Sequence, residues 1–125
     1  MPDSFSSAIP DTALPILTEL GNEFGFDPLA SVELEEYWAQ FVRDLPSEVD
    51  LASEARLMAK RAFRSVAGVP AWEQAGEWPL ENGEPMVFVG SICVPSRQVL
   101  FQDDSTFFVF YSPSTGRTRA IVQSA

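Results

Sequence analysis

The sequence predicts an α+β fold in which N-terminal helices pack on a C-terminal antiparallel β-sheet. Apolar residues recur at helical spacing within residues 11–67, whereas β-branched and aromatic runs lie within residues 86–123. A loop rich in Trp and Pro, residues 68–85, separates the two halves. Helices and strands that are segregated along the chain favour an antiparallel sheet covered by helices. At 125 residues we expect a single domain with a core of its own.

The first predicted helix follows a polar N-terminal segment. Residues 1–10 mix Ser, Pro and Asp, and we expect this segment to be mobile. Asp11 is the predicted N-cap, and the helix is expected to run to Leu20. Pro15 fits only its first turn, and Gly21 is placed to end it.

The second predicted helix runs from an N-cap at Ser31 to Leu45. Pro46 forbids its continuation, because proline disfavours a helical conformation in the residue before it. Glu33, Glu36 and Gln40 fall on its polar side. Its apolar stripe has helical spacing and consists of Leu34, Tyr37, Trp38, Phe41, Val42 and Leu45.

The third predicted helix begins at Asp50 and is expected to end at Gly68. Acidic residues come early in it and basic residues late, which matches the helix dipole. Its basic face carries Arg56, Lys60 and Arg64. Its apolar face consists of Leu51, Ala55, Met58, Ala62 and Val66.

The loop at residues 68–85 carries two tryptophans, Trp72 and Trp78, in a backbone stiffened by three prolines. Tryptophan is large and apolar and has one N–H group, so both rings are suited to hold the loop on the core. The same rings could instead stack a small ligand. Asn82 and Gly83 form a strong turn signal near the end of the loop.

Three strand regions are predicted after the loop. Residues 86–94 are an almost unbroken apolar run, typical of a strand covered on both faces. Residues 98–102 offer a short second strand. Residues 105–111 and 117–123 are predicted to form a hairpin, because a five-residue loop with Pro and Gly joins them.

The net charge of −10 is concentrated in the first half of the chain. Residues 1–54 hold 12 acidic residues and one basic residue, Arg43, and residues 55–125 hold six acidic and seven basic residues. Such a field repels phosphate backbones, so direct nucleic-acid binding is not expected. A basic protein partner suits it better. The predicted partner-binding residues are Glu33, Glu36, Asp44, Glu48 and Asp50.

The sequence predicts neither catalysis nor a metal or cofactor site. Histidine is absent, which removes the usual general base and the commonest metal ligand. Asp103 and Asp104 are more typical of a turn than of a cation site, and the cluster of Glu33, Glu35 and Glu36 is more typical of a solvated helix face.

The chain is expected to be a cytoplasmic protein. Its one cysteine, Cys93, excludes an internal disulfide. No signal peptide is evident at the start, and no run of apolar residues is long enough to span a membrane. The sequence does not predict an oligomeric state.

Residues 68–123 resemble the YwqG-like family. The resemblance is carried by GVPAWEQ at residues 68–74, EWP at 77–79, GEPMVFVGSI at 83–92 and FFVFYSPSTG at 107–116. The chain departs from the family pattern at Ser91, where the family has Gln. Some members of the family are similar to immunity proteins kept beside secreted toxins, so the resemblance implies a binding role. Fold resemblance by itself is a weak basis for function.

Three classes of function are therefore open. The first is an acidic binding protein that neutralises a protein partner, most simply an immunity protein against a bacterial toxin. The second is a small-ligand module that uses the loop around Trp72 and Trp78. The third is an enzyme of unfamiliar type, which requires an ionisable group with a shifted pKa in a cleft.

Overall fold

The computed structural model describes residues 8–95 and 104–124 of the chain. The elements within these residues are α1 (Leu14–Phe24), α2 (Val32–Asp44), α3 (Leu51–Ala62), β1 (Leu80–Glu81), β2 (Glu84–Pro85), β3 (Val87–Val94), β4 (Ser105–Tyr111) and β5 (Thr118–Ser124). β3, β4 and β5 form an antiparallel sheet with β4 in the middle. β1 and β2 form a separate small hairpin. The predicted α+β fold is confirmed.

α1 begins later than the sequence predicts. Its N-cap is Ala13 and not Asp11, and no side chain caps the helix. The carbonyl of Pro10 instead accepts a hydrogen bond from the N–H group of Ala13 (2.9 Å). Ile9, within the segment predicted to be mobile, is only 1% exposed, so the chain is anchored to the core before α1 starts. Residues 1–7 of that segment lie outside the described residues.

The predicted stop at Gly21 is wrong, because Gly21 lies inside α1 and the helix ends at Gly25, where φ is 90°. The carbonyl of Gly21 accepts hydrogen bonds from the N–H groups of Gly25 (2.8 Å) and Phe26 (3.0 Å). A Cβ atom on Gly21 would lie 2.2 Å from the carbonyl oxygen of Phe26. Glycine is thus required at residue 21 by the close approach of the chain that follows the helix.

Gly21→Ala is expected to lower the free energy of unfolding by about 1 to 3 kcal/mol, because the added methyl group overlaps the backbone of Phe26. Helix propensity alone predicts the opposite sign, a gain of about 1 kcal/mol. Urea denaturation of both proteins measures the difference. Gly90→Ala is the matched control, since a Cβ on Gly90 meets no heavy atom within 4 Å. Equal or greater stability of Gly21→Ala would contradict this account of α1.

Ser31 and Asp50 cap α2 and α3, as predicted. The Oγ of Ser31 accepts a hydrogen bond from the N–H group of Leu34 (3.1 Å). The carboxylate of Asp50 accepts hydrogen bonds from the hydroxyl (2.6 Å) and the N–H group (3.2 Å) of Ser53. These bonds lower the pKa of Asp50. Their contribution to stability is therefore present above the unfolded-state pKa and is lost as the pH falls through the lower folded-state pKa.

α3 ends at Ala62, so the predicted end at Gly68 is wrong. Val66, predicted on the apolar face of α3, is 71% exposed. After the helix the backbone bonds to the edge of β3: Val66 N–H donates to the carbonyl of Phe88, and Phe88 N–H donates to the carbonyl of Arg64, both at 2.9 Å. The result is a short parallel bridge. Hydrogen bonds to the sheet thus replace those of further helical turns.

The predicted hairpin is confirmed as β4 and β5, with β5 displaced by one residue from the predicted range. The turn predicted at Asn82 and Gly83 is also confirmed, and it joins β1 to β2. Both residues have positive φ, 53° and 78°, which is the conformation that a two-residue hairpin turn of this kind requires. The short strand predicted for residues 98–102 lies outside the described residues.

The prediction that β3 is covered on both faces is wrong. Phe88, Phe108 and Phe110 are buried on one face of the sheet, but the consecutive residues Ser91, Ile92 and Cys93 are all exposed, so the second half of β3 is open on both faces. An apolar run therefore does not by itself show that a strand is covered. On the face opposite Phe108, an apolar row crosses the three strands: Ile92, Phe107 and Val122.

Aromatic rings connect α2 to the sheet through the core. The ring centroids of Trp38 and Phe63 lie 5.5 Å apart, those of Phe63 and Trp78 5.3 Å apart, and those of Trp78 and Phe110 5.2 Å apart. Such contacts add to the apolar area that the rings bury, so α2 is held at a defined place on the core. Among the described helices, none has the length and apolarity needed to cross a membrane.

Candidate partner-binding groove

A groove of about 700 Å³ lies between α2, α3 and the β1–β2 hairpin. We call its apolar base the floor and its acidic border the rim. The floor consists of five half-buried side chains: Tyr37, Phe41, Leu45, Met58 and Leu80. The rim consists of three exposed carboxylates: Glu33, Glu36 and Asp44.

α2 supplies the whole rim, and together with its C-cap residue Leu45 it supplies three of the five floor side chains, because these residues recur at intervals of three and four positions. The predicted apolar stripe of α2 divides between two environments. Leu34 and Trp38 are fully buried in the core. Phe41 and Leu45, on the same predicted stripe, are half-buried and line the groove. The apolar stripe is thus wider than the part of α2 that packs on the core. Phe41 and Leu45, which lie beyond that part, belong to the floor of the groove.

A series of side-chain hydrogen bonds on α2 orients the carboxylate of Asp44, at one end of the rim. The Nε2 of Gln40 donates a hydrogen bond to Oδ1 of Asp44 (2.8 Å), and Nη2 of Arg43 donates to Oε1 of Gln40 (2.7 Å). Arg43, the one basic residue of residues 1–54, is therefore bound to an amide oxygen. Within the described part of the chain, the ion pairs are Arg56 with Glu23 and Arg117 with Glu81, and no rim carboxylate takes part in one.

The structure brings together three of the five predicted partner-binding residues: Glu33, Glu36 and Asp44, which form the rim. Glu48 and Asp50 lie in the turn after α2, and neither lines the groove. Asp50 already accepts two hydrogen bonds from Ser53 as the cap of α3. Glu48 is exposed, and its carboxylate accepts a hydrogen bond from the hydroxyl of Ser47 (3.3 Å). The two residues are thus adjacent to the predicted patch in sequence but separate from the groove.

Sequence analysis did not assign Met58 or Leu80 to a site. Met58 was expected on the apolar face of α3, and Leu80 belongs to the loop before Asn82. Both come against α2 only through tertiary packing, and no local pattern indicates this. Methionine in a groove adapts its shape to different occupants, since its side chain is unbranched and polarisable.

Tyr37 lies where the floor meets the rim. Burial raises the pKa of its phenol, an effect that nearby Arg61 opposes and Glu84 reinforces. The phenol therefore stays neutral at neutral pH. In this form it can donate a hydrogen bond to a bound group or accept one from it.

The three clustered acids of α2 have different surroundings. Glu33 and Glu36 lie on the rim, whereas the Glu35 carboxylate accepts a hydrogen bond from the N–H group of Ala8 (2.5 Å). Asp103 lies outside the described residues, so the turn predicted at Asp103 and Asp104 is described only in part. Within residues 8–95 and 104–124, no three His, Cys, Asp or Glu side chains converge as a possible metal site.

Trp72 and Trp78 both pack on the core. Trp78 is 1% exposed, and its Nε1 donates a hydrogen bond to the carbonyl of Met86 (2.7 Å). Trp72 is half-buried, its Nε1 donates to the carbonyl of Gly25 (2.6 Å), and its ring lies 4.5 Å from that of Phe108. A cavity of about 420 Å³ between α1 and the loop borders Trp72. The contacts agree with the interpretation that the two rings hold the loop on the core.

Fold and groove together define an α+β protein with an apolar, acid-rimmed groove on its second helix. No protein-family model matches the sequence, and comparison with curated proteins and with solved structures also gave no match. The relationship to the YwqG-like family inferred from residues 68–123 stays a prediction.

Proposed function

We propose that this chain is a non-catalytic acidic protein that binds and neutralises a basic protein partner, as an immunity protein does with a bacterial toxin. The observation that carries the proposal is the rim: three exposed carboxylates, with no ion pair to a described residue, border an apolar floor. Apolar surface with a charged border is the usual composition of a protein-binding site.

The charge distribution supports a basic partner. Residues 1–54 carry a net charge of −11 and residues 55–125 one of +1, so the negative field is strongest around α1 and α2. Such a field speeds the approach of a basic protein and disfavours acidic ones. Once the partner is bound, burial of the floor supplies the part of the affinity that salt does not weaken.

A toxin that acts on an anionic substrate fits this description. An enzyme such as a nuclease binds phosphate groups through Lys and Arg, so its substrate cleft is basic. An acidic inhibitor can occupy that cleft in place of the substrate. The resemblance of residues 68–123 to a family with immunity-like members supports the same role. An immunity protein of this kind acts in the cytoplasm, where the free thiol of Cys93 is stable.

The second candidate is a small-ligand module at the loop around Trp72 and Trp78. The cavity beside Trp72 is the observation that favours it. Trp78 is 1% exposed and offers almost no surface to a ligand, so this candidate depends on Trp72 alone. It ranks second, because the rings of Trp72 and Phe108 are already in contact.

If a toxin-like protein is encoded next to this chain, charge reversal of the rim is expected to slow its binding. The triple variant Glu33→Lys, Glu36→Lys and Asp44→Lys should reduce the association rate at low salt roughly ten- to a hundred-fold, and it should flatten the salt dependence. Biolayer interferometry at two salt concentrations measures both effects. The single variants Glu36→Lys and Asp11→Lys are the control for net charge, because each makes the same change in charge and Asp11 is exposed but does not line the groove.

Two outcomes would count against the proposal. Unchanged association kinetics of the folded triple variant would exclude the rim as the binding surface. If the wild-type protein bound no basic protein encoded beside it, a binding function of this kind would be refuted, and the ligand module at Trp72 would take first place.

A further inference from the structure

The geometry points to one kind of occupant for the groove: a short amphipathic helix of the partner, with apolar side chains toward the floor and Lys or Arg at both ends. This inference rests on the proposed function and adds to it the shape and the charge pattern of the bound segment. Three features of the groove carry it: the spacing of the rim carboxylates, the backbone hydrogen bonding of the helices and strand that border the groove, and the apolar side chains of the floor.

The rim is acidic at both ends of the groove. Glu33 and Glu36 lie in the first turns of α2, and Asp44 is its last residue. Glu33 and Asp44 are eleven positions apart, a distance of about 16 Å along a helix at about 1.5 Å per residue. An occupant that pairs with both ends therefore needs basic side chains about 16 Å apart. A helix of about three turns with a base in its first and last turn has this spacing.

The walls of the groove favour a helix over a strand. α2 and α3 border the groove with side chains, since their own backbone groups are bonded within each helix. The strand that lines it among the described residues is β1, which has two residues and is already paired with β2. An extended occupant would leave most of its backbone groups unpaired against such walls. A helix satisfies its backbone hydrogen bonds internally.

The apolar floor determines which side chains the central part of the bound helix carries. Its five side chains form an apolar surface bounded by Glu33 at one end and Asp44 at the other. A docked helix presents residues at i, i+3 or i+4, and i+7 to such a surface. Leucine, phenylalanine or methionine at those positions, between the two basic ends, completes the pattern.

A second copy of this chain does not supply such a helix. Two copies each carry a net charge of −10, so their acidic halves repel each other. α3 is the helix of this chain that carries several bases, but it turns Ala55 and Ala59 into its own core, where both are fully buried. The occupant must therefore come from another protein.

A defined peptide tests the inference. The probe is a fluorescently labelled 15-residue peptide, acetylated and amidated, with Lys or Arg in its first and last turns and Leu at three helical positions between them. Fluorescence anisotropy gives its affinity for the full 125-residue chain. We expect saturable binding, and we expect a loss of at least about ten-fold when the three Leu are replaced by Ser or the bases by Glu.

A matched pair of protein variants locates the bound peptide. Asp44→Lys and Glu48→Lys make the same change in charge, but only Asp44 lines the groove. Asp44→Lys should weaken peptide binding at least about ten-fold, and Glu48→Lys less than about three-fold. Asp44→Lys is expected to fold normally, since a cation suits the last turn of a helix. Thermal unfolding of both variants checks this.

Several results would overturn the inference. Equal effects of the two variants would place the peptide outside the groove, and equal binding of the Leu and Ser peptides would show that charge alone attracts it. Octylammonium that competes as strongly as the peptide would indicate a small amphiphilic ligand. Light scattering that shows a dimer which Asp44→Lys dissociates would indicate a second copy. If the partner protein binds in a rim-dependent way while the peptide does not bind, the helix is excluded and the binding function stands.

Discussion

Trp78→Ala is expected to lower the free energy of unfolding by about 3 to 5 kcal/mol, the usual cost of removing a buried tryptophan side chain. The ring of Trp78 is almost completely buried and lies between the rings of Phe63 and Phe110, with centroids 5.3 and 5.2 Å away. Its removal leaves a cavity at the centre of the aromatic contacts between helices and sheet. It also leaves the carbonyl of Met86 without its hydrogen bond from Nε1.

Chemical denaturation of Trp78→Ala and Trp78→Phe measures this effect. The phenylalanine variant keeps much of the apolar contact and loses the N–H group, so it should be destabilised less. Trp72→Ala should also cost less than Trp78→Ala, since Trp72 is only half-buried. If Trp78→Ala left the melting temperature unchanged and abolished binding of a small molecule, the structural role of Trp78 would be excluded and the ligand-binding interpretation of this loop supported.

Gln123→Ala is expected to lower the free energy of unfolding by about 2 to 4 kcal/mol, because three hydrogen bonds to the backbone of one loop are lost together. The Oε1 of Gln123 accepts from the N–H groups of Glu73 (2.9 Å) and Gln74 (2.8 Å), and its Nε2 donates to the carbonyl of Ala75 (2.8 Å). The side chain is buried on β5. It therefore fixes the loop that carries Trp72 to the edge of the sheet.

Gln74→Ala is the control for Gln123→Ala. The Gln74 side chain makes one hydrogen bond to this strand, from Nε2 to the carbonyl of Ser124 (3.1 Å), and it is exposed. Its removal should cost about 1 kcal/mol or less. Equal losses in the two variants would show that Gln123 does not clamp the loop. Faster proteolysis in the loop of Gln123→Ala, with the rest of the chain intact, would support the clamp.

The elements that were predicted correctly have signals close by in the chain. Ser31 caps α2 through an N–H group three residues away, and Pro46 follows its end. The turn at Asn82 and Gly83 depends on the positive φ that these two residues tolerate. Interactions of this kind span only a few residues, so the sequence pattern is sufficient to identify them.

Two errors of the sequence analysis have different physical causes. α1 continues past Gly21 and ends at Gly25, whose φ is 90°, and the N–H groups of Gly25 and Phe26 bond back to the carbonyl of Gly21. This cap is local, but residue type alone does not choose between the two glycines. α3 ends before Gly68 because its following backbone bonds to Phe88 on β3, and that contact is formed by tertiary packing.

The sequence by itself determined the α+β class, the caps of α2 and α3, the closing hairpin and the acidic character of the first half. It also placed Glu33, Glu36 and Asp44 near one another, since helical spacing is a local property. Tertiary structure alone decided that these carboxylates border a groove, because Met58 and Leu80 reach α2 from other elements. It also decided that Trp78 is buried and that Ser91, Ile92 and Cys93 on β3 are exposed, since the burial of a side chain depends on what packs over it and not on its neighbours in the chain.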